Sequence, residues 1–227
     1  MNANVEDIEQ CALLLGTLFL ERPALPHCKE IIRGLAAMNL AEEWPWGTAE
    51  DLHAVSEELA RTGRADIHET DRAYHRLFVG PRKLAAPPWG SVYLDSEAVV
   101  FGDSCLAISR WMRAQGIELH EAESREPIDH IGRMLALLSW LASNRPELVG
   151  EFLDQHLLPW APTYLEKLNS AAEGSFYQAL AHLTAITLAQ HRKRASGNAP
   201  LVNASHGRHA LMSCRPSLLV KPKGGPP

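Results

Sequence analysis

With 227 residues, 46% of them apolar and 22% charged, the chain is long enough to bury one large core. Its composition is that of a globular protein, which excludes wholesale disorder and a fibrous repeat. The net charge of −5 is uneven: residues 192–227 hold seven Lys/Arg and no Asp/Glu, leaving 15 basic against 27 acidic side chains in residues 1–191; a body that acidic repels phosphate backbones, so cationic partners are expected and nucleic acid is not.

Val5, Ile8, Cys11, Leu14, Leu15, Leu18 and Phe19 recur at three- and four-residue steps, the stripe of an amphipathic helix that ends at Glu21-Arg22-Pro23. The run from Cys11 to Leu20 is too short to span a membrane, and it follows Glu6, Asp7 and Glu9 instead of basic residues. Neither an integral membrane segment nor a secretory signal is expected. Further helices are predicted over about 29–37, 49–61 and 65–78, the second with Leu52, Val55 and Leu59 inward.

Between Val79 and Asp103 the helical period fails, because Gly80-Pro81, Pro87-Pro88, Trp89-Gly90 and Gly102 punctuate it. A long structured loop is expected near 79–103, packed on the body through Trp89, Val92, Tyr93, Leu94 and Phe101. Helix resumes with Ser104 as the expected N-cap and stops at Gly116, followed by apolar Ile117. The next helix is predicted from near Pro127, which suits a first turn, through Ile131, Met134, Leu135, Leu138 and Leu141 to about Ser143. Three more follow at about 146–156, 161–172 and 175–192.

No run of alternating strands stands out, so the expected fold class is all-α, a single-domain helical bundle over residues 1–195. Residues 196–227, rich in Gly, Ser, Asn and Pro with scattered basic residues, are expected to form a disordered basic tail. Cys11, Cys28, Cys105 and Cys214 show no C-x-x-C pair and no spacing for zinc or an iron–sulfur cluster. Buried thiols in a reducing cytoplasm are the simplest reading. There is no P-loop, no dinucleotide glycine fingerprint, no G-x-S-x-G elbow and no H-E-x-x-H pair, so neither an enzyme nor a cofactor is expected.

Two motifs stand out. In Glu126-Pro127-Ile128-Asp129-His130, Asp129 fits a helix start, where a carboxylate interacts favourably with the dipole by about 0.3–1 kcal/mol. Alternatively, Asp129 and His130 form a carboxylate–imidazole pair for a partner's cationic group, a close pair being worth about 4 kcal/mol of Coulomb attraction before desolvation. The second is Tyr74-His75-Arg76-Leu77-Phe78-Val79-Gly80-Pro81 followed by Ala86-Pro87-Pro88-Trp89-Gly90-Ser91-Val92-Tyr93-Leu94-Asp95. Leu77 and Phe78 suit a core, whereas in Pro87-Pro88-Trp89-Gly90-Ser91 prolines that fix a loop beside a tryptophan suit a peptide seat with little ordering cost.

In order and spacing these blocks, together with Phe101-Gly102-Asp103-Ser104, resemble the TorD/DmsD/NarJ group of redox-enzyme maturation chaperones, most strongly its twin-arginine leader-binding DmsD branch. The likeness spans about residues 5–192; the tail beyond departs from the pattern. The resemblance implies an all-helical cytoplasmic chaperone, not an enzyme, that binds the twin-arginine signal peptide of a DMSO-reductase-type molybdoenzyme catalytic subunit and delays export until folding and cofactor insertion. Tat translocase components and molybdenum-cofactor delivery proteins are further implied partners. The implied signal-peptide contacts are Tyr74, Leu77, Phe78, Pro87, Trp89, Gly90, Ser91, Tyr93, Gly102, Asp129 and His130. Two other readings stay open: a hydrolase using Asp129 and His130 as an acid–base pair, and a nucleotide-binding helical regulator.

Overall fold

The computed structural model describes residues 3–81, 83–119, 126–195 and 220–222. In chain order the helices are α1 (Ala3–Leu20), α2 (Pro26–Ala37), α3 (Leu40–Glu43), α4 (Ala49–Thr62), α5 (Ile67–Tyr74), α6 (Ser91–Leu94), α7 (Asp103–Ala114), α8 (Ile131–Asn144), α9 (Val149–Phe152), α10 (Ala161–Ala171) and α11 (Phe176–Ala195). π-helical turns at His75–Val79 and Leu153–Leu157 extend α5 and α9, and a 3-10 turn at Pro146–Leu148 precedes α9. The fold is all-α, as the helical periodicity predicts. Among the described residues no helix is long and apolar enough to cross a membrane.

The helix starts follow local chemistry. Thr48 caps α4, its hydroxyl accepting the Asp51 N–H at 3.2 Å, and Asp66 caps α5 by accepting the His68 N–H at 3.0 Å. Pro26 sits in the first turn of α2, where its missing N–H costs nothing. Gly116 ends α7 with φ +69, the left-handed terminator its sequence position predicts.

Two expected boundaries are corrected. Ser104 is not the N-cap of α7: Gly102 holds that position, and Asp95 supplies the side-chain acceptor for the Ser104 N–H. The helix expected from Pro127 begins only at Ile131, because residues 127–130 form a turn that pairs with the Pro88 region. A short antiparallel pair also escapes a periodicity search: Ile117–Leu119 (β1) lies against Val220–Pro222 (β2), with Ile117 opposite Pro222 and Leu119 opposite Val220. The rest of the expected tail, and Cys214, lie outside the described residues.

The chain gathers into two compact units, each assembled from separated stretches. The first comprises Met1–Phe19, Pro88–Ala161 and Pro216–Pro227. Its α8 is buried nearly all round, through Ile131, Met134, Leu135, Leu137, Leu138 and Leu141, rather than along one stripe. Each such Leu or Ile contributes roughly 1.5–3 kcal/mol of burial. α1 approaches α8 so closely that a Cβ on Gly16 would stand 2.9 Å from the Gly132 carbonyl oxygen.

The second unit comprises Leu20–Pro87 and Pro162–Arg215. Here α4 packs against α2, α3 and α11. The Trp44 indole N–H donates to Thr187 Oγ1 at 3.1 Å, and His182 Nδ1 meets Glu58 Oε2 at 3.0 Å. Arg22 clamps Asp71 in a two-pronged contact at 2.7 and 2.6 Å, the fork geometry that suits guanidinium to carboxylate.

Candidate functional site

The two motifs of the first unit are laced together through their backbones. The Ile131 N–H donates to the Pro88 carbonyl at 2.8 Å, the Gly90 N–H to the Asp129 carbonyl at 3.0 Å, and Trp89 and His130 form an antiparallel bridge. Asp129, only 3% exposed, completes the lacing: its Oδ2 accepts the Ser91 N–H at 2.8 Å, at the first residue of α6. One oxygen of this buried carboxylate is thus paired, while Oδ1 is buried without a hydrogen-bond donor among the described residues. Burial, and then the nearby Asp129 charge, push the Cys105 thiol up to about 11.

His130 is the N-cap of α8, its Nδ1 accepting the Gly132 N–H at 3.1 Å. That bond makes the imidazole a neutral Nε2–H tautomer. Burial, with the neighbouring Arg133 charge, depresses its pKa to about 3. At neutral pH this ring is neutral, and Asp129 and His130 each bond a backbone N–H, that of Ser91 and that of Gly132.

Trp89 is half-buried, and its indole N–H donates to the exposed Glu126 at 3.1 Å. Arg133 donates to the Glu126 carbonyl, fixing the segment from its other side. Beneath Trp89, Gly90 faces the Trp160 indole: an added Cβ would lie 2.9 Å from Trp160 Cε2 and Nε1. Tyr93 stacks on that indole at 5.9 Å and 22°. At Gly102 a Cβ would meet Asp95 Oδ2 at 2.0 Å, so only glycine lets that carboxylate reach the Ser104 N–H and hydroxyl, at 3.2 and 3.1 Å.

The remaining motif residues belong to the second unit. The Tyr74 hydroxyl donates to the Leu20 carbonyl at 2.9 Å, and its ring lies 5.4 Å from Phe78, which meets Tyr177 edge-on at 5.0 Å. Leu77 and Phe78 are buried, part of that unit's core. Pro87 is half-buried at the end of the Leu20–Pro87 stretch. The structure therefore brings Trp89, Gly90, Ser91, Tyr93, Gly102, Asp129 and His130 into one unit, and Tyr74 and Phe78 into an aromatic cluster in the other, where Leu77 is also buried.

Sequence reasoning missed the supports Asp95 and Trp160 as partners of the motif. The signal available was the pair of glycines facing them, since an invading side chain is what each glycine admits. Glu21, His27 and Cys28 offer potential metal-ligand atoms within 4.8 Å of one another, with Glu21 and His27 already bonded together. A cavity of about 420 Å³ in the second unit is lined by Lys29, Arg33, Arg64, Asp66, Ile32 and Ile67 among others, and by none of the motif residues.

A family model described as nitrate reductase delta subunit matches residues 41–166. The Tat proofreading chaperone DmsD of Salmonella typhi is 39% identical over 186 residues, covering 82% of this chain and 89% of that protein. The chaperone protein TorD of Shewanella pealeana is 29% identical over 186 residues, covering 75% and 81%. The crystal structure of a redox enzyme maturation protein from Archaeoglobus fulgidus superposes with a TM-score of 0.51 at 22% identity, covering 80% of this chain and 93% of that one. That likeness bears on the fold.

Proposed function

Because the chain belongs to the nitrate reductase delta subunit family, we propose that it is a system-specific maturation chaperone of the cytoplasm rather than an enzyme. In this reading it binds the twin-arginine signal peptide of a DMSO-reductase-type molybdoenzyme catalytic subunit and delays export until folding and cofactor insertion are complete. Tat translocase components and molybdenum-cofactor delivery proteins are its further partners.

The observation that carries the reading is the pairing of Trp89 with Glu126, an indole partly open to water and hydrogen-bonded to an exposed carboxylate. A twin-arginine leader joins guanidinium groups to an apolar run, and its binder needs an apolar face beside negative charge. Apolar contact then sets the lifetime of the complex, while the acidic body accelerates encounter in a salt-dependent way. The Asp129 and His130 contacts to Ser91 and Gly132 preset the segment that carries Trp89, which lowers the ordering cost of binding. Asp129 thus serves recognition by holding the loop, with Glu126 offering charge at the surface.

Calorimetry with a synthetic peptide tests this, the peptide carrying consecutive arginines before an apolar run of roughly 7–15 residues. The protein binds it, binds a Lys-Lys counterpart more weakly, and loses about 2 kcal/mol or more on Trp89→Ala with helical circular dichroism unchanged. A folded sample that ignores every such peptide refutes the reading.

A further inference from the structure

We infer that the closed loop over residues 95–104 is the seat of the leader's apolar segment, with Val99, Val100 and Phe101 as its contact surface. The inference rests on the function proposed above and names where that function is exercised. Of the seven exposed large apolar side chains among the described residues, five fall between positions 94 and 106: Leu94, Val99, Val100, Phe101 and Leu106. Phe101 is 62% exposed and Leu106 53%. Single exposed apolar residues are ordinary, but a concentration of this kind marks a surface that another molecule covers.

The loop is built to hold its shape. Asp95 accepts the N–H and hydroxyl of Ser104, and its carbonyl accepts the Ala98 N–H at 3.0 Å, so the two ends are tied nine residues apart. Gly102 gives that carboxylate its space. Ala98 and Phe101 sit at φ +49 and +64, left-handed conformations that residues with a Cβ adopt at an energetic cost. The loop is tied at both ends and still turns the Phe101 ring into water. Leu94 on α6 and Leu106 on α7 flank it on helices that pack together. Through Gly102, which lies against the Ser91 side chain, the loop is continuous with the Trp89 segment.

Charge selects the occupant. Residues 94–106 carry three carboxylates, Asp95, Glu97 and Asp103, and no Lys or Arg; Glu97 and Asp103 are exposed. An apolar face rimmed by negative charge fits a segment that is apolar and preceded by guanidinium groups. It disfavours a second copy of this chain, which would bring the same carboxylates opposite themselves.

The test compares the full chain with a Val99→Ser/Phe101→Ser variant, using the synthetic twin-arginine peptide and calorimetry. Because both side chains lie in solvent, the variant folds with an unchanged melting temperature, and its Kd rises by about tenfold or more. If the parent binds and the variant binds within about twofold, the surface is assigned wrongly while the proposed function stands. If the parent itself fails to bind, the function falls and this surface with it. If the variant keeps its affinity but turns a dimer into a monomer by size-exclusion chromatography, the face is a self-interface and the assignment is overturned.

Discussion

His130→Asn isolates a pH dependence that the structure places on one buried ring. Asparagine also caps helices through its side-chain oxygen, so the acceptor for the Gly132 N–H, at 3.1 Å in the parent, is kept while the titrating group is lost. In the unfolded chain the imidazole titrates near about 6.5; in the fold, burial holds it down to about 3. As pH falls below the upper value the unfolded state takes up the proton and the native state does not. Stability is therefore lost progressively between about 6.5 and about 3, with no contribution above that window. At about pH 5 the loss attributable to this ring is roughly 2 kcal/mol, since each unit is worth about 1.4 kcal/mol. Denaturant unfolding of both proteins at about pH 7.5 and about pH 5 reads it. Other histidines, including His156, whose pKa burial also lowers, cancel in the comparison. The parent loses roughly 2 kcal/mol more than the variant on acidification; an equal loss in both refutes the assignment of a neutral, depressed His130.

Gly90→Ala drives a methyl into the Trp160 indole at 2.9 Å and lowers stability by about 1–3 kcal/mol, a drop of several degrees in Tm by calorimetric scan. Asp129→Ala leaves the buried Ser91 N–H without its acceptor and costs about 1–3 kcal/mol in denaturant unfolding, with the helical content retained. The same substitution lowers the Cys105 thiol from about 11, because one raising charge is gone, yet keeps it above its ordinary value, because burial is the larger cause. The pH profile of thiol alkylation follows that change, and an unmoved profile shows that Asp129 does not act on Cys105. Asp95→Ala unties the 95–104 loop at Ser104 and raises the peptide Kd by several-fold while the α8 core is untouched, measured by the same calorimetric titration.

The helices were legible because their apolar spacing is local: α1, α4 and α11 each run close to the limits their periodicity predicts. The misplaced boundaries share a cause of a different range. Pro127 reads as a helix start, yet the turn that follows is held by Pro88, some forty positions earlier, through the Ile131 N–H. Ser104 lies inside the first turn, where its N–H, without an intrahelical acceptor, is satisfied by Asp95, nine residues upstream. The motifs could be found by resemblance, and Leu77 and Phe78 are buried as their core reading expects. Leu94 and Phe101, expected to pack on the body, instead lie exposed, because the tie between Asp95 and Ser104 closes the loop without drawing those side chains inward.

The contact of Gly16 on α1 with Gly132 on α8 also sets an order for synthesis. The first helix leaves the ribosome long before the helix it packs against. At about 5–20 residues per second, the intervening stretch takes roughly 6–24 s to translate. Through that interval the Gly16 face of α1, which lies against Gly132, Leu135 and Ala136 in the finished fold, has not met α8. A nascent chain stalled before residue 131 would thus lack the partner of that face, and the contact must await the second half of the polypeptide, a late step that long-range contacts make slow.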